Sequence, residues 1–387
     1  MAQLYIKGIG MMIGMIFGAG IFALPFVFSQ SGIFWGITHF ILVFLILIFL
    51  HFLYGEVAYY TKGRHRFTGY VEIFLGKKAK QLAFITTIAS YYGTLLVYGL
   101  LGGVFLSNFL QGNYTREISL LFFVVAGLFL LLRMAKIAEV NFYLSIPLFG
   151  FIIYLLFVSM PSIKMENFIN TGGINANWFL PYGVWLFALS GFAALPEARD
   201  IFAGQGIRKF KKVILISLIV SAIFYFLFIF GVWGVSGLQT SEDALSGLAH
   251  LLGGKVLMIG SLIGFLAVFT SYLALAIDMR GIFKFDYSLP KISAWLLTII
   301  PPALFFLFGA VDFIRILGVI GALGFGSLGI FIILMSRELR KRIKNNDPGD
   351  VLEDVAMEYS RPNNSMQIIV LIAILIGVCY ELWRIFS

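Results

Sequence analysis

Charge is what this 387-residue sequence has least of: Asp, Glu, Lys and Arg make up 12% of it, against 60% hydrophobic residues. Soluble globular domains carry about 25% charged residues, so the composition excludes that class and points to the membrane class. No stretch reads as a soluble domain; the longest polar run extends from about residue 337 to 367. A single cysteine, Cys379, excludes a disulfide framework and a thiolate metal site. The four histidines, His39, His51, His65 and His250, are scattered, with no pair at metal-ligand spacing. A Gly-rich loop ending in Gly-Lys-Ser/Thr is missing, so nothing marks a nucleotide-driven motor. No nucleophile or metal set stands with its partners either, so an enzyme is not expected.

Long apolar runs are abundant instead. Taking about 20 residues as a membrane crossing, eleven runs qualify, near 5–30, 33–60, 82–110, 117–133, 140–160, 179–199, 213–237, 255–280, 292–309, 314–336 and 367–386. The net charge of +9 is distributed by topology rather than gathered for nucleic acid. With the N-terminus inside, the cytoplasmic side collects Lys7, Lys62, Arg64, Arg66, Lys77, Lys78, Lys80, Arg133, Lys136, Arg199 and Arg208. Lys209, Lys211, Lys212, Arg280, Lys284, Lys291, Arg337, Arg340, Lys341, Arg342, Lys344 and Arg361 join them. Only Arg116, Lys164, Lys255, Arg315 and Arg384 fall outside. This is the positive-inside pattern, and it predicts a multi-pass protein of the cell membrane with its N-terminus in the cytoplasm and its C-terminus outside. The first run has no small-residue cleavage site and is expected to be retained.

Two of the runs share a hexapeptide. Gly20-Ile-Phe-Ala-Leu-Pro25 lies in the first and Gly191-Phe-Ala-Ala-Leu-Pro196 in the sixth. The odd number of crossings between them gives them opposite directions, so two five-span halves, about 1–160 and 175–336, form an inverted repeat within one transmembrane domain covering 1–387. The eleventh run, 367–386, is left over. Glycine costs about 1 kcal/mol relative to alanine in a helix, and the first run holds Gly10, Gly14, Gly18 and Gly20. Pro25 and Pro196 withhold the N–H groups that would bond the carbonyls of Ile21 and Phe192. The pattern predicts a first helix that stops near Phe17–Gly20 and restarts around Ile21, and a sixth that stops near Leu189–Gly191 and restarts around Phe192. Spacing by four also makes Gly10, Gly14 and Gly18 a small-residue packing stripe; the paired Gly–Pro hexapeptides favour the break.

Non-helical backbone at membrane depth is tolerated only against protein or an aqueous cavity. Restarting half-helices present free N–H groups and positive dipole ends, which suit a carboxylate, and terminating ones present carbonyls, which suit an ammonium or a small cation. Both signs at one uncharged site fit a zwitterion, hence an amino acid. Broken helices at matching positions of inverted halves are the sequence pointer to a transporter's binding site.

Phe187-Ala-Leu-Ser-Gly-Phe192 resembles the unwound sixth helix of LeuT-type transporters, and Gly14-Met-Ile-Phe-Gly-Ala-Gly-Ile-Phe-Ala-Leu-Pro25 resembles the first helix of amino-acid permeases of the amino acid–polyamine–organocation superfamily. Thr270-Ser-Tyr-Leu-Ala-Leu-Ala-Ile-Asp278, Leu297-Thr-Ile-Ile-Pro-Pro302, Leu317-Gly-Val-Ile-Gly321 and Tyr98-Gly-Leu-Leu-Gly-Gly103 are similar to the tryptophan/tyrosine permease branch. The likeness covers essentially all eleven runs. It implies an all-α, five-plus-five LeuT-type fold, and alternating access by a bundle of helices 1, 2, 6 and 7 moving against a scaffold. By the same resemblance, Gly18, Ala19 and Gly20 offer backbone to the substrate carboxylate, Phe187 is an aromatic lid, and Ser190, Gly191 and Phe192 form the sixth-helix wall. Thr270 and Ser271, with carbonyls near Ile13 and Ile16, match a sodium site of the sodium-coupled relatives; interhelical hydrogen bonding is the plainer role for the two hydroxyls. The branch includes proton-coupled members, so the coupling ion is Na+ or H+, and no other cofactor is implied.

Tyr91, Leu95, Tyr98 and Gly102 share a helical face, with Tyr98 deepest and best placed to close the pocket; ordinary core packing is the alternative. Intramembrane ionisable residues call for a functional hypothesis. Asp278, seven residues after Ser271, is read as an inner-gate partner of Lys7, or as an interfacial carboxylate paired with Arg280. Glu197 has Arg199 as its plain partner, and Glu56 reads as interfacial. In the loop 238–253, Ser241 is a candidate N-cap for a short helix carrying Leu245, Leu248 and Leu252, either a lid or an ordinary packed loop helix.

The functional expectation is a cation-coupled transporter of a neutral amino acid, the aromatic surroundings pointing to an aromatic one. An amino-acid sensor on the same fold, or an uncoupled exchanger or channel, is the alternative. The expected partners are the small-molecule substrate and the lipid bilayer, with no nucleic acid and no obligatory protein partner.

Overall fold

The computed structural model describes residues 2–131, 137–169, 177–345, 349, 351 and 364–386. Arg133, Lys136 and Arg361, counted above for topology, lie outside the described residues. Helices follow one another as α1 (Ala2–Ile16), α2 (Gly20–Tyr60), α3 (Phe67–Phe109), α4 (Thr115–Phe129), α5 (Ile137–Ser159), α6 (Glu166–Ile169), α7 (Leu180–Ala188) and α8 (Leu195–Phe202). They continue as α9 (Ile207–Ser236), α10 (Ala249–Leu252), α11 (Gly254–Gly281), α12 (Lys291–Leu307), α13 (Phe313–Val319), α14 (Gly326–Lys344) and α15 (Asn364–Phe386). Among the described residues the only β pairing is an isolated bridge between Thr61 and Val351.

Among the described residues, seven helical stretches are long and apolar enough to cross a membrane, which makes this a multi-pass membrane protein: Gly20–Tyr60, Phe67–Phe109, Ser145–Ser162, Ile207–Gln239, Gly254–Asp286, Phe313–Lys344 and Asn364–Phe386. The eleven runs of the sequence do not map one to one onto these: helix continues through the loop expected near residue 32, the sixth run is broken into α7 and α8, and α1, α4 and α12 are shorter helices. At 1.5 Å per residue a straight helix of 41 residues would reach about 60 Å, twice the hydrocarbon core. α2 bends instead at Gly32, whose φ of 79° and ψ of 167° belong to a conformation open to glycine and closed to side chains with a Cβ. α3 bends likewise at Gly76, with φ 84° and ψ 176°.

α11 packs along α3, α7 and α9 pack against α2, and α5 lies between α1, α9 and α11. Where α7 meets the segment after α13, backbone touches backbone. A Cβ on Gly183 would lie 2.2 Å from the Gly318 carbonyl, and one on Gly321 would overlap the Gly183 carbonyl. The helix Phe313–Lys344 passes through a π-helical turn at Ile320–Phe325 beside this contact, and such turns often mark functional sites.

Both Gly–Pro hexapeptides fall at helix interruptions. α1 ends at Ile16 and α2 begins at Gly20, one residue before the expected restart. α7 ends at Ala188, a 3-10 turn covers Phe192–Ala194, and α8 begins at Leu195. Pro196 occupies the first turn of α8, where its missing N–H costs little. Pro25 is the sixth residue of α2, just past the first turn, so its effect is local strain rather than initiation.

Candidate functional site

The two interruptions lie side by side. A Cβ on Gly20 would stand 2.5 Å from Ala188 Cα, so the start of α2 runs against the end of α7 with no room for a side chain. Each half-helix ends with local bonds: Phe17 N–H to Ile13 O (2.8 Å) and Gly18 N–H to Ile16 O (3.0 Å) in one, Leu189 N–H to Trp185 O and Ser190 N–H to Phe187 O (both 3.1 Å) in the other. The last carbonyls of both, Ile16 O and Ala188 O, meet at the hydroxyl of Tyr225 on α9, at 2.7 and 2.8 Å. A phenol has one proton for these two acceptors; Ile16 O also accepts the Gly18 N–H, so Tyr225 ties the breaks together and is the donor on which Ala188 O depends. On the restarting side, Gly191 N–H is held by His51 Nε2 at 3.1 Å. In the first turn of α2, Phe22 N–H bonds Ala19 O at 3.2 Å, and the N–H groups before it stand where a helix supplies no acceptor.

Between the breaks is a cavity of about 40 Å³, counted as positions open to a water centre, which is room for a few waters. Met15, Ile16, Gly18, Tyr54, Tyr91, Thr94, Tyr98, Phe187, Ser190, Phe192, Leu275, Asp278 and Phe325 are among its lining residues. Of the substrate residues expected from sequence, Gly18, Tyr98, Phe187, Ser190 and Phe192 reach this wall, while Ala19, Gly20 and Gly191 do not. Gly20 is spent on Ala188, and Gly191 on Ile16 and His51. Tyr98 sits over the first break: a Cβ on Gly18 would meet its hydroxyl at 2.5 Å. Phe187 and Phe192 each pack on Phe325, with ring centroids 5.9 and 6.4 Å apart. Two polar atoms of the lining, Ser190 Oγ and Tyr54 Oη, are buried without a hydrogen-bond partner. Buried unpaired groups cost about 1–3 kcal/mol each, so the wall favours a guest that bonds them.

The residues named for a cation are occupied by protein. Ile13 O and Ile16 O carry the donors given above, Thr270 Oγ1 bonds back to Leu266 O and Ala267 O of its own helix, and Ser271 Oγ donates to Phe17 O at 3.2 Å. Of these four residues only Ile16 lines the cavity.

At one end the cavity is sealed by ions, and here the structure corrects the expected pairings. Asp278 pairs with neither Lys7, which is exposed, nor Arg280, which bonds Leu130 O. Its partner is Arg66, just before α3, whose Nη1 lies 3.2 Å from Asp278 Oδ1 and whose Nη2 lies 3.1 Å from Glu197 Oε1. Tyr91 Oη adds a bond to Asp278 Oδ2 at 2.8 Å. Burial opposes the charge on Arg66, but the adjoining carboxylates of Asp278 and Glu197 outweigh it and raise its pKa, so the guanidinium stays protonated. Arg199, the expected partner of Glu197, bonds Asp200 (3.0 Å) and Thr61 O (2.7 Å) instead. Glu56 is buried rather than interfacial and pairs with Lys211.

One side chain thus joins α11, α8 and the start of α3. Arg66→Ala leaves the buried Asp278 carboxylate beside that of Glu197 without a cation, a destabilising arrangement softened by solvent at the partly exposed Glu197. We expect the thermal melting temperature to fall in this variant and to recover in part with Arg66→Lys; a wild-type melt for Arg66→Ala would mean that this ion triad carries no weight.

A second, larger cavity of about 660 Å³ opens near the C-terminal end of α3, walled by Leu101, Arg116, Glu242 and Asp243 among others. It is away from both helix breaks, so size alone does not make it the site. In the adjoining loop the helix starts later than expected. Ser241 is not its N-cap: α10 follows a 3-10 turn at Ser246–Leu248, into which Asp243 accepts from Ser246 N–H at 3.0 Å and Ser241 Oγ from Gly247 N–H at 2.9 Å. Burial pushes the Asp243 carboxyl above the usual range.

Tyr225, His51, Arg66, Tyr54 and Phe325 escaped the sequence reading. His51 carries a usable signal, a titratable ring in the middle of an apolar run. Tyr225 and Arg66 act on partners far along the chain, which spacing does not reveal.

The sequence profile described as the tryptophan/tyrosine permease family matches residues 1–379. Among curated proteins, Tyrosine-specific transport system 1 of Haemophilus influenzae is 26% identical over 333 residues, covering 80% of this chain and 81% of that protein. Among solved structures, MhsT, crystallised in complex with L-phenylalanine, superposes with a TM-score of 0.71 at 15% identity, over 97% of this chain and 98% of that one. The fold is therefore that of the LeuT-type transporters. The chain belongs to the tryptophan/tyrosine permease family, whose members are membrane transporters and not enzymes.

Proposed function

We propose that this tryptophan/tyrosine permease is a cation-coupled symporter of neutral aromatic amino acids that works by alternating access. It crosses the membrane eleven times with its N-terminus in the cytoplasm, as inverted halves of about 1–160 and 175–336 followed by α15, in a single domain. Gly18, Ala19 and Gly20 with the first turn of α2 take the substrate carboxylate, and the carbonyl ends of α1 and α7 take its ammonium. Tyr98, Phe187, Ser190 and Phe192 enclose the side chain, Gly191 adds its backbone N–H to the carboxylate when the bundle moves, and Arg66, Asp278 and Glu197 form the cytoplasmic gate.

The observation that carries this reading is the joining of the two broken helices at one buried tyrosine, beside a cavity walled by aromatic rings and two unpartnered hydroxyls. The cavity holds a few waters and no amino acid of aromatic size, so loading requires the bundle to move. A sodium ion at Ile13, Ile16, Thr270 and Ser271 would have to draw on the lone pairs that these carbonyls and hydroxyls keep beside their present hydrogen bonds; a proton needs no such cage. The Tyrosine-specific transport system of Haemophilus influenzae lends tyrosine as the first substrate to try, and MhsT lends phenylalanine.

Purified protein in liposomes is expected to accumulate L-tyrosine or L-phenylalanine above equilibrium only under an imposed proton or sodium gradient. Downhill equilibration insensitive to both gradients would instead favour an uncoupled exchanger. Binding without any flux would favour a sensor.

A further inference from the structure

We propose that His51 is the proton-binding site through which this carrier couples to pH, and that it acts by holding or releasing the Gly191 N–H. The inference rests on the transport reading above and deepens it. His51 is wholly buried in α2. Its Nδ1 lies 2.7 Å from Leu47 O. A carbonyl only accepts, so Nδ1 carries the hydrogen and Nε2 keeps a lone pair. That lone pair takes the Gly191 N–H at 3.1 Å, inside the second helix break. A neutral side chain thus supplies a mid-membrane peptide group with the acceptor that the interrupted helix denies it.

This hydrogen bond exists in one protonation state only. A proton arriving on Nε2 occupies the lone pair, and two N–H groups then face each other at a distance that admits one hydrogen. Gly191 N–H must turn away and find another acceptor, and Nε2–H must find one too. Ser190 and Phe192, on either side of Gly191, already line the cavity, whereas Gly191 is held off it. A substrate carboxylate entering there can accept from both freed donors. The imidazolium has a second support: its ring stacks on Phe192, centroids 4.4 Å apart and planes 25° off parallel, giving the cation an aromatic face. Proton and carboxylate therefore favour each other's binding, and the linkage is reciprocal.

The titratable and charged groups on the surrounding elements are Tyr54 and the Glu56–Lys211 pair, Arg340 of α14, Tyr225 of α9, and Glu197 and Asp278 at the Arg66 gate. None of them is a hydrogen-bond or ring partner of His51 among the described contacts. His39 bonds Trp35 O through Nδ1 in the same i to i−4 manner without holding a helix break, and so serves as an internal control.

The test is calorimetry of L-tyrosine or L-phenylalanine binding to the full chain, in buffers of different ionisation enthalpy and across pH. The wild type is expected to take up about one proton per substrate at high pH, with affinity weakening by up to about tenfold per pH unit there. His51→Gln can still accept from Gly191 N–H but cannot gain the charge. It should bind with affinity independent of pH and no proton uptake, while His39→Gln behaves as wild type. Proton uptake that persists in His51→Gln, or wild-type binding with none, overturns the proposal and leaves the transport reading standing. A wild type that binds no aromatic amino acid defeats the transport reading itself. Should His51→Gln not fold, ¹⁵N-histidine spectra of the wild type decide. One of four rings must become doubly protonated on adding substrate at high pH, and four unchanged rings refute the assignment.

Discussion

Tyr225→Phe is expected to lower stability by about 2 kcal/mol and to reduce substrate affinity by well over tenfold. The variant keeps the ring, which packs on Phe17 and Trp185, and removes the hydroxyl alone. Ile16 O retains the Gly18 N–H, so the loss falls mainly on Ala188 O, a carbonyl at the end of α7 that then has no donor in a dry environment. Leaving such a group unsatisfied costs about 1–3 kcal/mol. The larger consequence is geometric, because the two half-helices are no longer tied at their ends and the backbone that receives the substrate loses its fixed spacing. Tyr272→Phe is the contrast. The Tyr272 hydroxyl is buried with no hydrogen-bond partner, so its removal should be neutral or stabilising. Thermal melts of both variants, with and without L-tyrosine, check the pair. Equal behaviour of the two would mean that the tie between the breaks carries no weight.

Gly20→Val is expected to abolish binding while the protein still inserts and folds. The added Cβ would stand 2.5 Å from Ala188 Cα and 2.6 Å from its Cβ, and a backbone neighbour cannot swing aside as a side-chain tip can. Overpacking a dry contact costs about 1–3 kcal/mol, and here the strain falls on the two segments that form the cavity. Relieving it pushes α2 from α7, and affinity should drop by about a hundredfold or more. Gly150→Ala in α5 is the control. Nothing lies within 4 Å of the added carbon, so that change should be silent or should stabilise by up to about 1 kcal/mol. Equilibrium binding after size-exclusion chromatography separates lost affinity from lost folding.

These contrasts show where sequence reading was strong. Glycine and proline act on the backbone locally, so the interruptions at Ile16–Gly20 and Ala188–Leu195 were visible in two hexapeptides. The resemblance of the motif residues pointed to Gly18, Phe187, Ser190 and Phe192 of the cavity wall, and helical spacing pointed to Tyr98. Gly20 and Gly191 were assigned to the same wall but press on Ala188 and on Ile16 and His51, because a glycine in a break also serves close approach; Ala19 is buried and does not line the cavity. Helix boundaries were least legible where glycine allows a bend without a polar loop, as at Gly32 and Gly76, so expected spans merged. Side chains that act across the molecule could not be paired from spacing. Asp278 was rightly singled out, but its partner Arg66 is brought to it only by the packing of α3 on α11.

The most direct measurement is a cryo-EM map of the full chain with L-tyrosine bound. The account predicts ligand density between Tyr98, Phe187 and Phe325, its carboxylate against the first turn of α2 and its ammonium against the carbonyl ends of α1 and α7. Density lodged only in the larger cavity near Asp243, with the space beside Tyr225 empty, would contradict it.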